Sequence, residues 1–121
     1  MRKIVFILTQ DPRERTELVS NALTQALTAL DSSYVCELFL SDDAIKLILP
    51  EYIAGLKKGD SVPIAELLDS YKNKGGKIYA CNPSLNSRNI DADKSKDSIT
   101  GCVNASNLLE SSLDAYAVFS Y

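Results

Sequence analysis

The run Ile4-Val5-Phe6-Ile7-Leu8 constrains the fold more than any other stretch of the chain. It is apolar without alternation and β-branched at Ile4, Val5 and Ile7, the pattern of a strand buried on both faces, as in the middle of a parallel sheet. Such a strand needs a layer of structure on either side, which the rest of the chain must supply. Asp11-Pro12-Arg13-Glu14 follows and reads as a helix start, with Asp11 as N-cap and Pro12 at the first helical position. Val19, Ala22, Leu23, Ala26, Leu27 and Leu30 then recur at helical spacing until Asp31-Ser32-Ser33 breaks the pattern.

The same alternation repeats downstream. Tyr34 to Leu40 predicts a second strand, and Ser41-Asp42-Asp43 caps a helix carrying Ala44, Ile45, Leu47, Ile48 and Leu49, which Pro50 ends. Residues 51–62 show no clear period; Tyr52, Ile53 and Leu56 suit one further turn on the surface. Pro63 opens another helix, with Ile64, Leu67, Leu68 and Tyr71 on one face, closed by Lys72-Asn73-Lys74-Gly75-Gly76. Lys77 to Cys81 is a third strand, stopped by Pro83, which has no N–H for a ladder. Residues 82–100 read as a long polar loop. A last helix over 103–113 turns Ala105, Leu108, Leu109 and Leu113 inward, and 115–120 is a closing strand. The expectation is a single α/β domain over residues 1–121, a three-layer sandwich around a mostly parallel, flavodoxin-like sheet of four to five strands in the order 2-1-3-4.

Composition removes several function classes. A formal net charge of −3 argues against a nucleic-acid surface. No apolar run approaches the roughly 18 residues that span a bilayer, and the first strand is too short for a signal sequence, so a cytoplasmic protein is expected. The chain has no histidine, which excludes Ser-His-Asp and Cys-His catalysis. Its three cysteines, Cys36, Cys81 and Cys102, have no metal-ligand spacing, and neither a disulfide framework, a metal nor a cofactor is expected. Neither glycine-rich nucleotide-binding motif is present.

Chemistry is therefore sought at the carboxyl ends of the strands. In the 2-1-3-4 order, the first and third strands are neighbours, and their carboxyl ends form the switch point where open sheets bind ligands. Cys81 would lie there, with Thr9, Gln10 and Asp11 on the opposite wall and Asn82 and Ser84 beside it. Nearby helix N-termini would favour a thiolate; equally, Cys81 suits a small buried hydrophobe. Cys102, at the entry to the last helix, is either a resolving thiol or ordinary packing, and Cys36 is core. Arg13, Arg15 and Arg88 suit an anion clamp or plain solvation, and Asp42 and Asp43 are explained by capping without a metal. Tyr52, Tyr71, Tyr79 and Tyr116 are candidates for an interface.

The layout resembles the DsrE/DsrF-like family, small α/β proteins that include sulfur-relay subunits. The resemblance lies in Thr9-Gln10-Asp11-Pro12 after the first strand, Leu38-Phe39 leading into Asp43-Ala44-Ile45-Lys46-Leu47-Ile48, Gly76-Lys77-Ile78-Tyr79-Ala80-Cys81, and the closing Val118-Phe119-Ser120. It implies that Cys81 is the cysteine that sulfur-handling members carry after this strand. A second cysteine often follows three residues on; here that residue is Ser84. The resemblance also implies a homo-oligomer, trimer or hexamer, or assembly with paralogous subunits. The resulting expectation is a sulfur relay carrying persulfide on Cys81 between a donor and an acceptor protein. The alternative is a non-catalytic binding or assembly module with a ligand or partner crevice at the same edge.

Overall fold

The structure, a computed structural model, describes residues 2–95 and 97–121, without the side chains of residues 94 and 95. Met1 and Lys96, the latter in the connection read as a polar loop, lie outside the described residues. The elements in chain order are β1 (Lys3–Leu8), α1 (Thr16–Asp31), β2 (Val35–Leu40), a 3-10 segment (Asp42–Ile48) and α2 (Pro50–Ile53). They continue with α3 (Ile64–Asn73), β3 (Lys77–Cys81), α4 (Asn82–Ser87), a second 3-10 turn (Ala92–Ser95), β4 (Gly101–Val103), α5 (Ala105–Leu113) and β5 (Ala117–Ser120).

The five strands form one sheet in the order β4-β3-β2-β1-β5, with every pairing parallel. The α/β architecture is as the apolar pattern implies, and the first strand is interior, flanked by β2 and β5, although β2 and not β1 is the middle strand. The 2-1-3-4 order is not adopted: β2 lies between β1 and β3, and β1 pairs instead with β5. Hydrophobic periodicity sets which residues are buried but carries no information on which strand lies next to which. Each step from β1 to β4 moves one place along the sheet in the same direction. Right-handed crossovers therefore put α1 and α3 on one face, while the return from β4 to β5 puts α5 on the other.

Side chains alternate across the strands accordingly. Ile4, Phe6 and Leu8, Cys36, Leu38 and Leu40, and Ile78 and Ala80 join the buried face of α1 and the Ile64, Leu67, Leu68 and Tyr71 face of α3 in the main core. Glu37, Phe39, Tyr79 and Cys81 fall on the α5 side. There Phe39 and Tyr79 stack with ring centroids 5.1 Å apart.

Several boundaries differ from the sequence reading for identifiable reasons. Asp11 caps a turn rather than α1: its Oδ1 accepts the Arg13 N–H at 2.8 Å, and the helix begins only at Thr16. Pro50 opens α2 instead of ending a helix, since a proline at a first helical position loses no hydrogen bond. The 82–100 stretch is not one loop. It contains α4, the second 3-10 turn and the approach to β4, which is pinned by mutual bonds between Thr100 and Ile78. Cys102 accordingly sits within β4 and not at a helix entry.

The largest departure is α5, none of whose residues is buried. The helix is held to the sheet by its polar side: Ser111 accepts a hydrogen bond from Lys3 Nζ at 2.9 Å and donates to Glu37, and Lys3 pairs with Glu37 at 3.7 Å and Asp114 at 3.8 Å. Leu109 and Leu113, expected inward, are 60% and 78% exposed. An ion pair beneath the helix dictates which side faces the sheet, and helical periodicity alone cannot register that. Of the four tyrosines considered for an interface, Tyr71 is fully buried and Tyr52 is tied into a polar network, whereas Tyr116 is exposed.

Candidate functional site

Cys81 closes β3 at the carboxyl edge of the sheet and occupies the N-cap position of α4, with extended φ and ψ of −75° and 121°. Its neighbour on one side is the end of β2, and on the other β4, where it pairs with Val103. The thiol is half-buried. It lines an apolar pocket of about 90 Å³ on the α5 side of the sheet, walled by Phe39, Leu40, Val103 and Leu108. Asn82 Nδ2 donates to Asn104 Oδ1 at 3.2 Å, joining the start of α4 to the residue before α5.

Two contacts fasten α4 to the 3-10 segment after β2. The Ser84 hydroxyl, buried, accepts the backbone N–H of Asp42 at 2.8 Å, and Arg88 Nε donates to Asp43 Oδ1 at 2.8 Å. Asp42 has a φ of 51°, a left-handed conformation that this bond helps to hold. Ser84 thus lies on the helix next to Cys81 and has a structural hydrogen bond. Arg88 is an ion-pair partner rather than a free anion clamp, and its guanidinium holds the Asp43 carboxyl below its ordinary range.

The remaining candidates are not brought to Cys81. Because β2 intervenes, Thr9, Gln10 and Asp11 form no wall of the Cys81 pocket. The Thr9 hydroxyl donates to the Tyr121 carbonyl at 2.9 Å, and Gln10 Nε2 donates to Thr9 Oγ1 at 3.1 Å. Asp11, 7% exposed, is the centre of a separate network. Tyr52 donates to both of its carboxylate oxygens at 2.9 and 2.8 Å, Lys46 Nζ lies 3.3 Å away, and Arg13 supplies its backbone N–H. Burial pushes the Asp11 pKa up, but the bonds from Arg13, Tyr52 and Lys46 outweigh it and hold the carboxyl below its ordinary value. Lys46 also reaches Asp43 at 3.5 Å, so charge alternates from Asp11 through Lys46 and Asp43 to Arg88. The sequence reading missed Tyr52 and Lys46 as members of this network. Tyr52 sits in the stretch without periodicity, and the lysine's partner comes from a loop 35 residues away.

The three cysteines differ sharply. Cys36 lies in the core, and burial pushes its thiol up to about 11. Cys102 is exposed, and partial desolvation followed by the nearby Asp93 carboxylate raises its pKa. It pairs with Ala80, one step out of register with Cys81, so the two thiols fall on opposite faces of the sheet. That arrangement does not suit direct disulfide formation, which needs converging Cβ vectors. Among the described residues, no group of three or more metal-ligating side chains is assembled, and no helix is long and apolar enough to cross a membrane.

Comparison with known proteins follows the same lines. A family model described as the DsrE/DsrF-like family matches residues 3–121. The ychN protein of E. coli, a solved structure, superposes with a TM-score of 0.81 at 24% identity, covering 100% of both chains. A conserved protein of unknown function from Bacteroides thetaiotaomicron gives 0.72 at 14% identity, covering 98% of this chain and 94% of that one. A protein of unknown function from Methanobacterium thermoautotrophicum gives 0.69 at 17% identity, covering 100% of both. These similarities concern the fold. A comparison with curated proteins gave no significant match.

Proposed function

The chain belongs to the DsrE/DsrF-like family, and on that premise we propose that it is a small cytoplasmic sulfur-relay protein that carries sulfur as a persulfide on Cys81. The observation that carries this reading is the placement of Cys81, half-buried at a strand's carboxyl end and opening into a small apolar pocket. The Cys81 thiolate attacks the outer sulfur of a donor persulfide. A new S–S bond forms on Cys81 as the donor's S–S bond breaks, and the donor leaves as a thiol after taking up a proton. Sulfur moves between thiols with no net oxidation, so neither an external oxidant nor a histidine is required. Phe39, Val103 and Leu108 limit water around the outer sulfur until an acceptor thiolate removes it. Intact-mass analysis after incubation with a cysteine desulfurase and cysteine tests this. Wild type is expected to gain the mass of one sulfur, and Cys81→Ser none. An adduct retained in Cys81→Ser would transfer the role to Cys102, and no adduct in wild type would end the proposal.

The outward leucines of α5 support a second element, self-assembly through the α5 and β5 side, as a trimer or hexamer. Leu109 and Leu113 are exposed on α5, whose polar side is already used against the sheet, and Tyr116 and Val118 are exposed just before and within β5. The edge strand β5 runs alongside it. Sedimentation should show an oligomer for wild type and a folded monomer for Leu109→Asp/Leu113→Asp. A monomeric wild type would leave the α5 surface without this role. Assembly without any sulfur adduct would favour the non-catalytic binding module, a reading to which Ser84 contributes by using its hydroxyl structurally.

A further inference from the structure

The sheet ends in two strand edges, β4 on one side and β5 on the other. Edge strands present unpaired N–H and C=O groups, and folded proteins blunt them by short length, charge, proline or a covering segment. β4 is blunted by its length, Gly101–Val103. β5 is not. Its sequence, Ala117-Val118-Phe119-Ser120, has neither charge nor proline. Bonds from the Tyr116 and Tyr121 N–H groups to the Lys3 and Ile7 carbonyls hold the chain against β1 beyond both ends of the strand. Val118 and Phe119 are 43% and 38% exposed, and among the described residues no strand pairs with the outer side of β5.

Backbone direction fixes which groups face outward. Tyr121 donates its N–H to Ile7 and accepts that of Thr9, so its backbone groups point towards β1. These directions alternate along a strand, so Phe119 also points to β1, while the N–H and C=O of Val118 and Ser120 point to the open edge. Side chains alternate as well: Phe119 lies on the α1 face, its ring centroid 5.6 Å from that of Phe6, and Val118 on the α5 face. A second copy, related by a two-fold axis perpendicular to the sheet beside Phe119, meets these groups in register. Val118 and Ser120 of one copy then exchange backbone bonds with Ser120 and Val118 of the other. The two Phe119 residues become a non-hydrogen-bonded pair, the closer of the two antiparallel arrangements, and continue the Phe6–Phe119 stack across the axis. That ring-on-ring match selects a second copy of this chain, since a two-fold contact sets each surface against itself.

We propose that β5 pairs antiparallel with β5 of a second copy, about a two-fold axis at Phe119, so that two sheets join into one. The proposal rests on the self-assembly reading above and names one contact within it. A few backbone bonds and one aromatic pair do not by themselves outweigh the cost of association. The edge contact therefore acts where α5 has already gathered copies and several such contacts work together. Hydrogen exchange on the wild-type assembly reads the contact directly. The Val118 and Ser120 amides should exchange at least about tenfold more slowly in the assembly than in protein diluted until it dissociates. Val118→Pro deletes an outward N–H while sparing the bonds to β1, a change that edge strands accept. Sedimentation of this variant should show a particle of half the wild-type mass. The exchange measurement needs only the wild type, so it decides the matter even if Val118→Pro does not fold. A wild-type assembly with unprotected Val118 and Ser120 amides would overturn the edge contact while leaving assembly through α5 standing. So would an odd number of copies, or a folded Val118→Pro protein of wild-type mass. A monomeric wild type would overturn both.

Discussion

Gly76→Ala is expected to destabilise the protein by about 2–3 kcal/mol, the upper part of the range for overpacking a core. A Cβ at residue 76 would stand 2.4–2.6 Å from three atoms of the Tyr71 ring, well inside van der Waals contact. The ring cannot yield cheaply. Tyr71 is fully buried in the α3 face of the core, and its hydroxyl donates to the Lys77 carbonyl at 2.9 Å. The tyrosine therefore straps the end of α3 to the start of β3, and the glycine provides the space through which it passes. Burial also raises the Tyr71 pKa well above the ordinary phenol value, keeping the hydroxyl protonated as a donor.

The neighbouring glycine provides a control with a different mechanism. Gly75 has a φ of 90°, and a Cβ there would find nothing within 4 Å, so Gly75→Ala meets backbone strain without a clash. Its cost should be about 1–2 kcal/mol. Urea midpoints of the two variants, measured with the slope held in view, separate the mechanisms. Tyr71→Leu is itself destabilising, but combined with Gly76→Ala it should cost less than the sum of the two single changes, because the collision is then absent. With Gly75→Ala the two costs should simply add. A wild-type midpoint for Gly76→Ala would show that the Tyr71 ring does not pass over this position.

The second large effect is expected at Asp11. Asp11→Asn should cost about 2–3 kcal/mol, the scale for disrupting hydrogen bonds to a charged, poorly solvated group. The amide keeps one acceptor oxygen for the Arg13 N–H or Tyr52, and it turns an NH₂ group towards Lys46, which can only donate. The pH dependence follows from the same carboxylate. Its folded pKa is depressed, so the stabilisation is complete above the ordinary carboxylate value. It is lost as pH falls through that value and then through the lower folded one. Asp43, held down chiefly by its bond from Arg88, contributes with the same sign and to a smaller extent because it is partly exposed. Stability measured from neutral pH downwards should fall more steeply in wild type than in Asp11→Asn. Parallel curves would show that Asp11 carries no linked proton.

Much of this protein is written in local patterns. The unbroken Ile4–Leu8 run, the stripe from Val19 to Ala26 and the Ile64-Leu67-Leu68-Tyr71 face became the core they imply, because burial follows from side-chain period and polarity alone. Pro83 stopped β3 after Cys81, and Cys36 packed inside, for equally local reasons. The DsrE/DsrF-like resemblance was legible for the same cause: it rests on apolar runs and one cysteine in fixed order.

What surrounds Cys81 was decided elsewhere. Whether Thr9 or Leu40 stands beside it depends on strand order, which is set by how whole crossovers pack, and the placement of β2 between β1 and β3 excludes the first loop. The facing of α5 depends on Lys3 and Glu37 meeting beneath it, a contact between residues on two adjacent strands that no window of sequence contains. The Asp11–Tyr52–Lys46 network joins three separate segments, each ordinary by itself. Period and polarity act over a few residues and so determined which side chains are inside. The pairing of charges and the neighbours of a thiol arise only when distant segments share one sheet edge, and that the tertiary structure alone decided.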